Sequence, residues 1–290
     1  DVRPLSGHIC NLTTLAAFAN NGNSIMCVSP ESGGYPGISH LGLGSLLKLR
    51  NTYFPYDEEN MNLKIEDTRK IIEKDEPNLI IFGSSFIPFP HPVSTLKDYF
   101  KKTIPIYDGS HVLGLIAGQQ FQDPLREGCR ILIGSTHKSF FGPQGGIILT
   151  QDDELFQKLE TILVPVIIDN VHCNRIAALG QSLLEMKKFG AEYALQVIRN
   201  SKSLARQLHD LGLPVLGKMH DYTESHQIIV DYKNQEIANN VSINLESINV
   251  IVDKGIRIGT SEVTRRGMKE PEMDKIGQII GAALKDGTDG

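Results

Sequence analysis

The sequence has little of several things that would have narrowed its class at once. Its four cysteines, Cys10, Cys27, Cys129 and Cys173, are scattered through 290 residues. None forms a C-x-x-C pair, which argues against a zinc site or a redox motif, and four thiols are too few for a disulfide scaffold. No uninterrupted apolar run reaches ~18 residues, so no membrane-spanning helix is expected. Charge of one sign is also scarce: 29 Lys and Arg against 34 Asp and Glu leave −5, with no basic footprint for nucleic acid. There is no internal repeat and no low-complexity segment. The opening DVRPLSGHICN has neither a basic start nor an apolar core, and with the sparse cysteines this predicts a reduced, cytoplasmic setting. What remains is an ordinary globular composition, 40% hydrophobic, long enough for about two domains.

Short apolar runs alternate with helical patterns through the first half. Residues 24–29, 78–84, 104–108, 130–135 and 145–150 read as buried strands, and 65–76 carries amphipathic helical spacing. This rhythm predicts an α/β fold with a mostly parallel sheet sandwiched by helices. In such sheets ligands gather in the loops beyond the carboxyl ends of the strands. The polar residues there, Ser29, Ser85, Asp108 and Ser135 to Lys138, are therefore expected to share one crevice. The second half differs. Helical periodicity runs over 174–200 and again over 202–212, followed by a strand-like 227–232, apolar segments at 249–253 and 255–260, and a last helix over 270–284. We read this as a large domain, 1–188, followed by a smaller α+β domain, 189–290.

Chemistry concentrates between Tyr107 and Gly146. Lys138 follows Ser135, Thr136 and His137 directly after an apolar strand, which places an amine where a parallel sheet puts its ligands. Covalent work by a lysine needs the neutral amine, and partial desolvation in a crevice favours that form. Asp108 ends another strand. A lysine and an acid so placed suit pyridoxal phosphate, which needs a Schiff-base lysine, an acid beside its ring nitrogen and a cradle for its phosphate. Ser6-Gly7-His8, ahead of a helical pattern, can supply that cradle. Taken singly, each feature has a plainer explanation, such as a helix cap or a solvated lysine.

Four segments carry a resemblance to serine hydroxymethyltransferases, within the aspartate-aminotransferase-like (fold type I) pyridoxal-phosphate enzymes. PLSGHICNL (4–12) resembles the family's phosphate loop and DGSHVLGLIAG (108–118) its Asp-x-x-His strand. STHKSFFGPQGG (135–146) resembles its lysine signature and GIRIGTSEVTRRG (255–267) its carboxylate-binding segment. The resemblance implies the transferase fold of that class, with a seven-stranded sheet. It implies that Lys138 holds the cofactor, with His137 beside it, that Asp108 pairs with the pyridine nitrogen, and that His111 lies near the phenolic oxygen. Ser6, Gly7 and His8 fall on the phosphate loop, His8 where the family has a small residue. Ser85 falls near the ring, Tyr35 where the family stacks a histidine, and Arg257 where it takes the substrate's α-carboxylate. The implied activity is serine/glycine hydroxymethyl transfer in a homodimer, with a small amino acid as substrate and tetrahydrofolate as co-substrate.

Three departures qualify that reading. The family carries an arm ahead of the segment with which this chain opens, holding a glutamate for proton transfer and tyrosines that reach the neighbouring site. The reading thus expects either a longer parent chain or a catalytically incomplete one. Residues 167–174 replace a glycine-rich stretch that helps bind phosphate across the dimer, with Asp169, Asn170 and His172 in its place. Pro30, Glu31 and Ser32 replace an apolar-histidine pattern near the folate pocket. Two alternatives stay open: a folate-independent aldolase or transaldolase acting on β-hydroxy amino acids, and a non-catalytic relative. His91, between Pro90 and Pro92, reads as a rigid-loop residue. His40, His209, His220 and His226 have no metal-ligating spacing.

Overall fold

The computed structural model describes residues 1–254 and 257–286. The chain divides into two compact units, Asp1–Ala191 and Glu192–Gly290.

The first unit is built on a six-stranded sheet: β1 (Ser24–Cys27), β2 (Arg50–Tyr53), β3 (Leu79–Phe82), β4 (Ile104–Asp108), β5 (Ile131–Ser135) and β6 (Gly146–Thr150), with a separate two-stranded ribbon pairing Tyr56–Asp57 with Asn62–Leu63. Their order is β2-β1-β3-β4-β5-β6. All neighbours are parallel except β5 and β6, which pair antiparallel from Ile131↔Thr150 to Ser135↔Gly146. Of the inner strands, β1, β3 and β5 are buried along their whole length and β4 at all but its two end residues. Leu79, Ile80, Ile81 and Phe82 are each at most 1% exposed, and burying such a side chain contributes about 1.5–3 kcal/mol. That is why these strands read as continuous apolar runs. β2, at the edge, is the polar Arg-Asn-Thr-Tyr and carried no such signal.

The expected seventh strand has a physical substitute. Residues 1–4 run antiparallel along the outer edge of β6, where Ile148 donates to the Asp1 carbonyl and Gly146 to the Pro4 carbonyl, both at 2.9 Å. Arg175 Nη2 also donates to the Val2 carbonyl. Proline has no N–H for the ladder, so the segment extends the sheet without completing a regular strand.

Helix α1 (Gly7–Phe18) begins four residues ahead of the apolar pattern because Ser6 caps it, its Oγ accepting from Ile9 N at 3.2 Å. Helix α2 (Ile65–Asp75) buries Thr68 and Ile72 and carries Glu66 and Asp67 in its first turn, where acids favour a helix start. Helix α3 (Asp153–Thr161) packs Leu155 and Leu159 into the sheet's core.

In place of the two helices expected over 174–200 and 202–212 there is one, α4 (Cys173–Asp210). Asn200 and Ser201, where the two expected helices would meet, are both buried inside it. Asn200 Nδ2 donates to Thr264 Oγ1 and to the Met268 carbonyl, and Ser201 Oγ to the Ser225 carbonyl. Ser201 Oγ is also 2.9 Å from the Ile198 carbonyl, so one hydroxyl serves both the helix's own backbone and a carbonyl remote in sequence. In the second unit, β7 (Gln227–Ile229) pairs antiparallel with β8 (Arg257–Gly259). Leu204, Leu208, Ile228, Leu245, Met273 and Ile280 form its core with α5 (Gln235–Ser247) and α6 (Glu270–Asp286). Residues 249–253 form no strand; Asn249 has φ +63° and Ile251 is exposed. Gly255 and Ile256 lie outside the described residues. Among the described residues no helix is long and apolar enough to cross a membrane.

Candidate active site

The carboxyl ends of β3, β4 and β5 are adjacent, and the residues that follow them surround one cavity of about 190 Å3. β3 delivers Gly83, Ser84 and Ser85; β4 delivers Asp108, Ser110 and His111; β5 delivers Ser135, His137, Lys138 and, after a turn, Gln144. The start of α1 adds Ser6, Gly7, His8 and Asn11, and the loop after β1 adds Tyr35 and Ile38.

Lys138 stands on a loop tied at both ends. Thr136 N donates to the Gly145 carbonyl at 3.0 Å, Thr136 Oγ1 to the Pro143 carbonyl at 2.7 Å, and Gly142 N to the Thr136 carbonyl at 2.7 Å. Ser139 Oγ accepts from Gly114 N at 3.1 Å, fixing the loop to the segment after His111. The lysine itself is exposed to the cavity, its Nζ 3.1 Å from His111 Nε2. Next to it, His137 Nδ1 accepts from Gly145 N at 3.4 Å. Burial first, then the Lys138 charge, hold the His137 imidazole below its ordinary range, which keeps it neutral at pH 7 with its proton on Nε2.

Asp108 is oriented by two donors. Ser110 N reaches Oδ1 at 3.0 Å, and Asn11 Nδ2 reaches Oδ2 at 2.7 Å. The same Asn11 amide donates to the Gly7 carbonyl at 3.2 Å, so one buried side chain joins the start of α1 to the carboxylate. Gly7 is required by space. A Cβ there would lie 2.4 Å from Ser135 Oγ and 2.6 Å from Ser110 Oγ, so only glycine lets the helix start approach both strand ends. On the opposite wall, Tyr35 Oη lies 3.0 Å from His8 Nδ1 with the rings edge to face at 87°. Burial and the Asp108 charge push the Tyr35 phenol up. The preceding turn is set by Gly33, with φ +84°, whose carbonyl accepts from Ser85 N at 2.9 Å.

Ten residues singled out in the sequence thus line the cavity: Ser6, Gly7, His8, Tyr35, Ser85, Asp108, His111, Ser135, His137 and Lys138. Arg257 belongs to the second unit, on β8, with its guanidinium 3.4 Å from Asp253 and its N–H donating to Asp253 Oδ1 at 3.0 Å. Asp169, Asn170 and His172 are exposed. Ser29, expected in the same crevice, is not among the lining residues; its Oγ accepts from Ser32 N at 3.1 Å and caps the turn ahead of Gly33. Sequence reasoning missed Asn11, Ser110 and Gln144 as site residues. Asn11 had a signal: it lies four residues after Gly7, on the same helix face.

The donor set fits pyridoxal phosphate. It offers an accessible amine, a carboxylate held rigid across from it, and a helix N-terminus lined by a serine and a glycine that leaves room for an anion.

A sequence model of the family described as serine hydroxymethyltransferase matches residues 1–280. The chain is 40% identical over 303 residues to the serine hydroxymethyltransferase of Archaeoglobus fulgidus, covering 99% of this chain and 69% of that one. It is 41% identical over 306 residues to that of Methanothermobacter thermautotrophicus, covering 100% and 72%. Among solved structures it is similar to an L-threonine transaldolase from Pseudomonas fluorescens in its internal aldimine state. The TM-score is 0.93 at 26% identity, over 99% of this chain and 68% of that one. By the family match along nearly its whole length and by these identities, the chain belongs to the serine hydroxymethyltransferase family.

Proposed function

We propose that the protein transfers a hydroxymethyl group between serine and glycine, using pyridoxal phosphate and passing the one-carbon unit to tetrahydrofolate. The observation that carries this reading is the placement of Lys138 and Asp108 on adjacent strand ends, facing one cavity that α1 closes with its N-terminus.

The bound cofactor supplies an electron sink for the carbanion left when the serine Cα–Cβ bond, or the glycine Cα–H bond, breaks. The protein's own residues do the rest. Lys138 Nζ, open to the cavity, would supply the amine that anchors the cofactor. Asp108, held by Ser110 and Asn11, would be the acid partner of the ring nitrogen. His111, whose Nε2 lies 3.1 Å from that amine, would offer the cofactor's phenolic oxygen a hydrogen-bond partner. Ser6 and Gly7 would offer α1's N-terminal groups to the phosphate, and Tyr35, its hydroxyl 3.0 Å from His8 Nδ1, would cover the ring face. Ser85 adds a hydroxyl near the ring.

We assign the α-carboxylate to Arg257. Support comes from a guanidinium fork that is only 23% exposed and held on a strand by Asp253, a form suited to bidentate carboxylate recognition. Arg257→Lys keeps the charge but loses the fork. We expect it to raise KM for serine about 10- to 100-fold with little change in melting temperature, the range for a hydrogen bond to a charged group. A KM within twofold of the parent defeats the assignment.

The functional test is serine consumption by cofactor-loaded protein with and without tetrahydrofolate. We expect turnover that depends on it. Faster cleavage of threonine-like substrates without folate favours the second reading, a folate-independent aldolase or transaldolase. That reading is motivated by the similarity to the transaldolase and by the turn of Pro30, Glu31 and Ser32 before Tyr35. We further propose a cytoplasmic homodimer. Cys10, Cys27 and Cys129 are buried free thiols, as a reducing compartment allows. Val166, Val171, Leu184 and Phe189 are apolar side chains exposed on one chain and suited to cover by a second copy.

A further inference from the structure

His91, between two prolines, is buried behind the cavity wall, 4% exposed. Its ring packs against Phe82, the last residue of β3, and Tyr107, which precedes Asp108, with centroids 6.4 Å away in both cases. Gly83 N donates to His91 Nδ1 at 3.1 Å. Nδ1 is therefore the acceptor, and the ring proton is on Nε2. Burial pushes the imidazole down to about 4, so the acceptor persists at neutral pH.

The histidine is itself clamped. Its N–H donates to Gln122 Oε1 at 3.0 Å, and its carbonyl accepts from Gln122 Nε2 at 3.1 Å. Gln122 Oε1 also accepts from Tyr107 Oη at 2.6 Å, tying the clamp to β4. The residue held at the other end is equally constrained. Gly83 has φ +91°, and a Cβ there would lie 2.0 Å from the Asp108 carbonyl oxygen. The peptide that His91 holds therefore lies directly against the Asp108 backbone, and Ser84 and Ser85 enter the cavity immediately beyond it.

We propose that His91 is a positioning residue for the cofactor site: its Nδ1 fixes the Gly83 peptide and thereby sets Ser84 and Ser85 against Asp108. The inference rests on the pyridoxal-phosphate reading above, and it adds a residue that touches neither cofactor nor substrate. His91→Leu fills a similar volume without an acceptor; in His91→Asn the Oδ1 takes the place of Nδ1.

The experiment titrates folded apo-protein with pyridoxal phosphate by absorbance, across pH, and records the melting temperature of each apo-protein. We expect His91→Leu to raise the dissociation constant about tenfold or more and to shift the pH midpoint of the bound absorbance, whereas His91→Asn stays within about threefold of the parent. If His91→Leu does not fold, Gln122→Met, which frees the His91 backbone, carries the same expectation of weakened binding. Binding within about twofold of the parent and an unchanged pH profile, with only a lower apo-protein melting temperature, overturns the proposal in favour of a purely structural histidine. A parent that binds no pyridoxal phosphate overturns this inference together with the functional reading; a parent that binds it beside indifferent variants overturns this inference alone.

Discussion

Lys138→Ala abolishes the near-visible absorbance of the cofactor-loaded protein and lowers serine turnover by at least about a thousandfold, the scale of losing both a covalent anchor and a proton-transfer group. The effect is separable from stability. Lys138 is exposed in the cavity, and its loop is held by Thr136, Gly142 and Ser139 through bonds that do not involve the lysine side chain. Its truncation is therefore expected to change folding free energy by no more than about 0.5 kcal/mol, as for exposed positions generally. Borohydride reduction of the parent followed by peptide mass mapping is expected to find the phosphopyridoxyl adduct on Lys138. An adduct on another lysine, or an alanine variant that keeps its absorbance, sinks the assignment of the amine.

Asp108→Asn is the second large effect. The substitution is nearly isosteric, but both carboxylate oxygens accept hydrogen bonds, from Ser110 N and from Asn11 Nδ2. An asparagine offers one oxygen and one NH2, so one donor then faces a donor. Asn11 can flip its amide to match only by giving up its bond to the Gly7 carbonyl. The site loses a charge opposite the ring nitrogen and slackens the start of α1 at the same time. We expect turnover to fall about a hundredfold or more, about 2.7 kcal/mol, with weaker cofactor binding, as when one member of a partly buried charged pair is removed. A variant within tenfold of the parent in kcat/KM for serine removes Asp108 from the mechanism.

How much of this was legible depends on where the information resides. Lys138, Asp108 and the start of α1 could be read because each sits beside a strand or helix signal in contiguous sequence. The parallel core strands announced themselves because burial on both faces demands an unbroken apolar run. β2 did not, because an edge strand tolerates Arg50, Asn51 and Thr52. The edge segment at residues 1–4 was hidden by a proline that prevents a full ladder. α4 was expected as two helices, over 174–200 and 202–212; the groups that hold Asn200 and Ser201 within a single helix, Thr264, Met268 and Ser225 among them, are remote in sequence. The same holds within the site. Asn11, Ser110 and Ser135 acquire their roles by meeting around Gly7, and a reading along the chain sees only a helix residue, a turn residue and a strand end. His91 was taken as a rigid-loop residue, and its bond to Gly83 could not be foreseen from the spacing.

The crowding around Gly7 also has a consequence for the order of events in folding. A helix start, the residue after β4 and the last residue of β5 must all be in place before the gap between Ser110 and Ser135 exists, and these segments are more than a hundred residues apart at the extremes. Contacts of such long range form late, because closing the intervening loops costs entropy before any contact repays it. The cavity is thus among the last features of its unit to appear. A ligand that needs it meets only chains that have finished assembling, and retains them there by mass action instead of guiding them there.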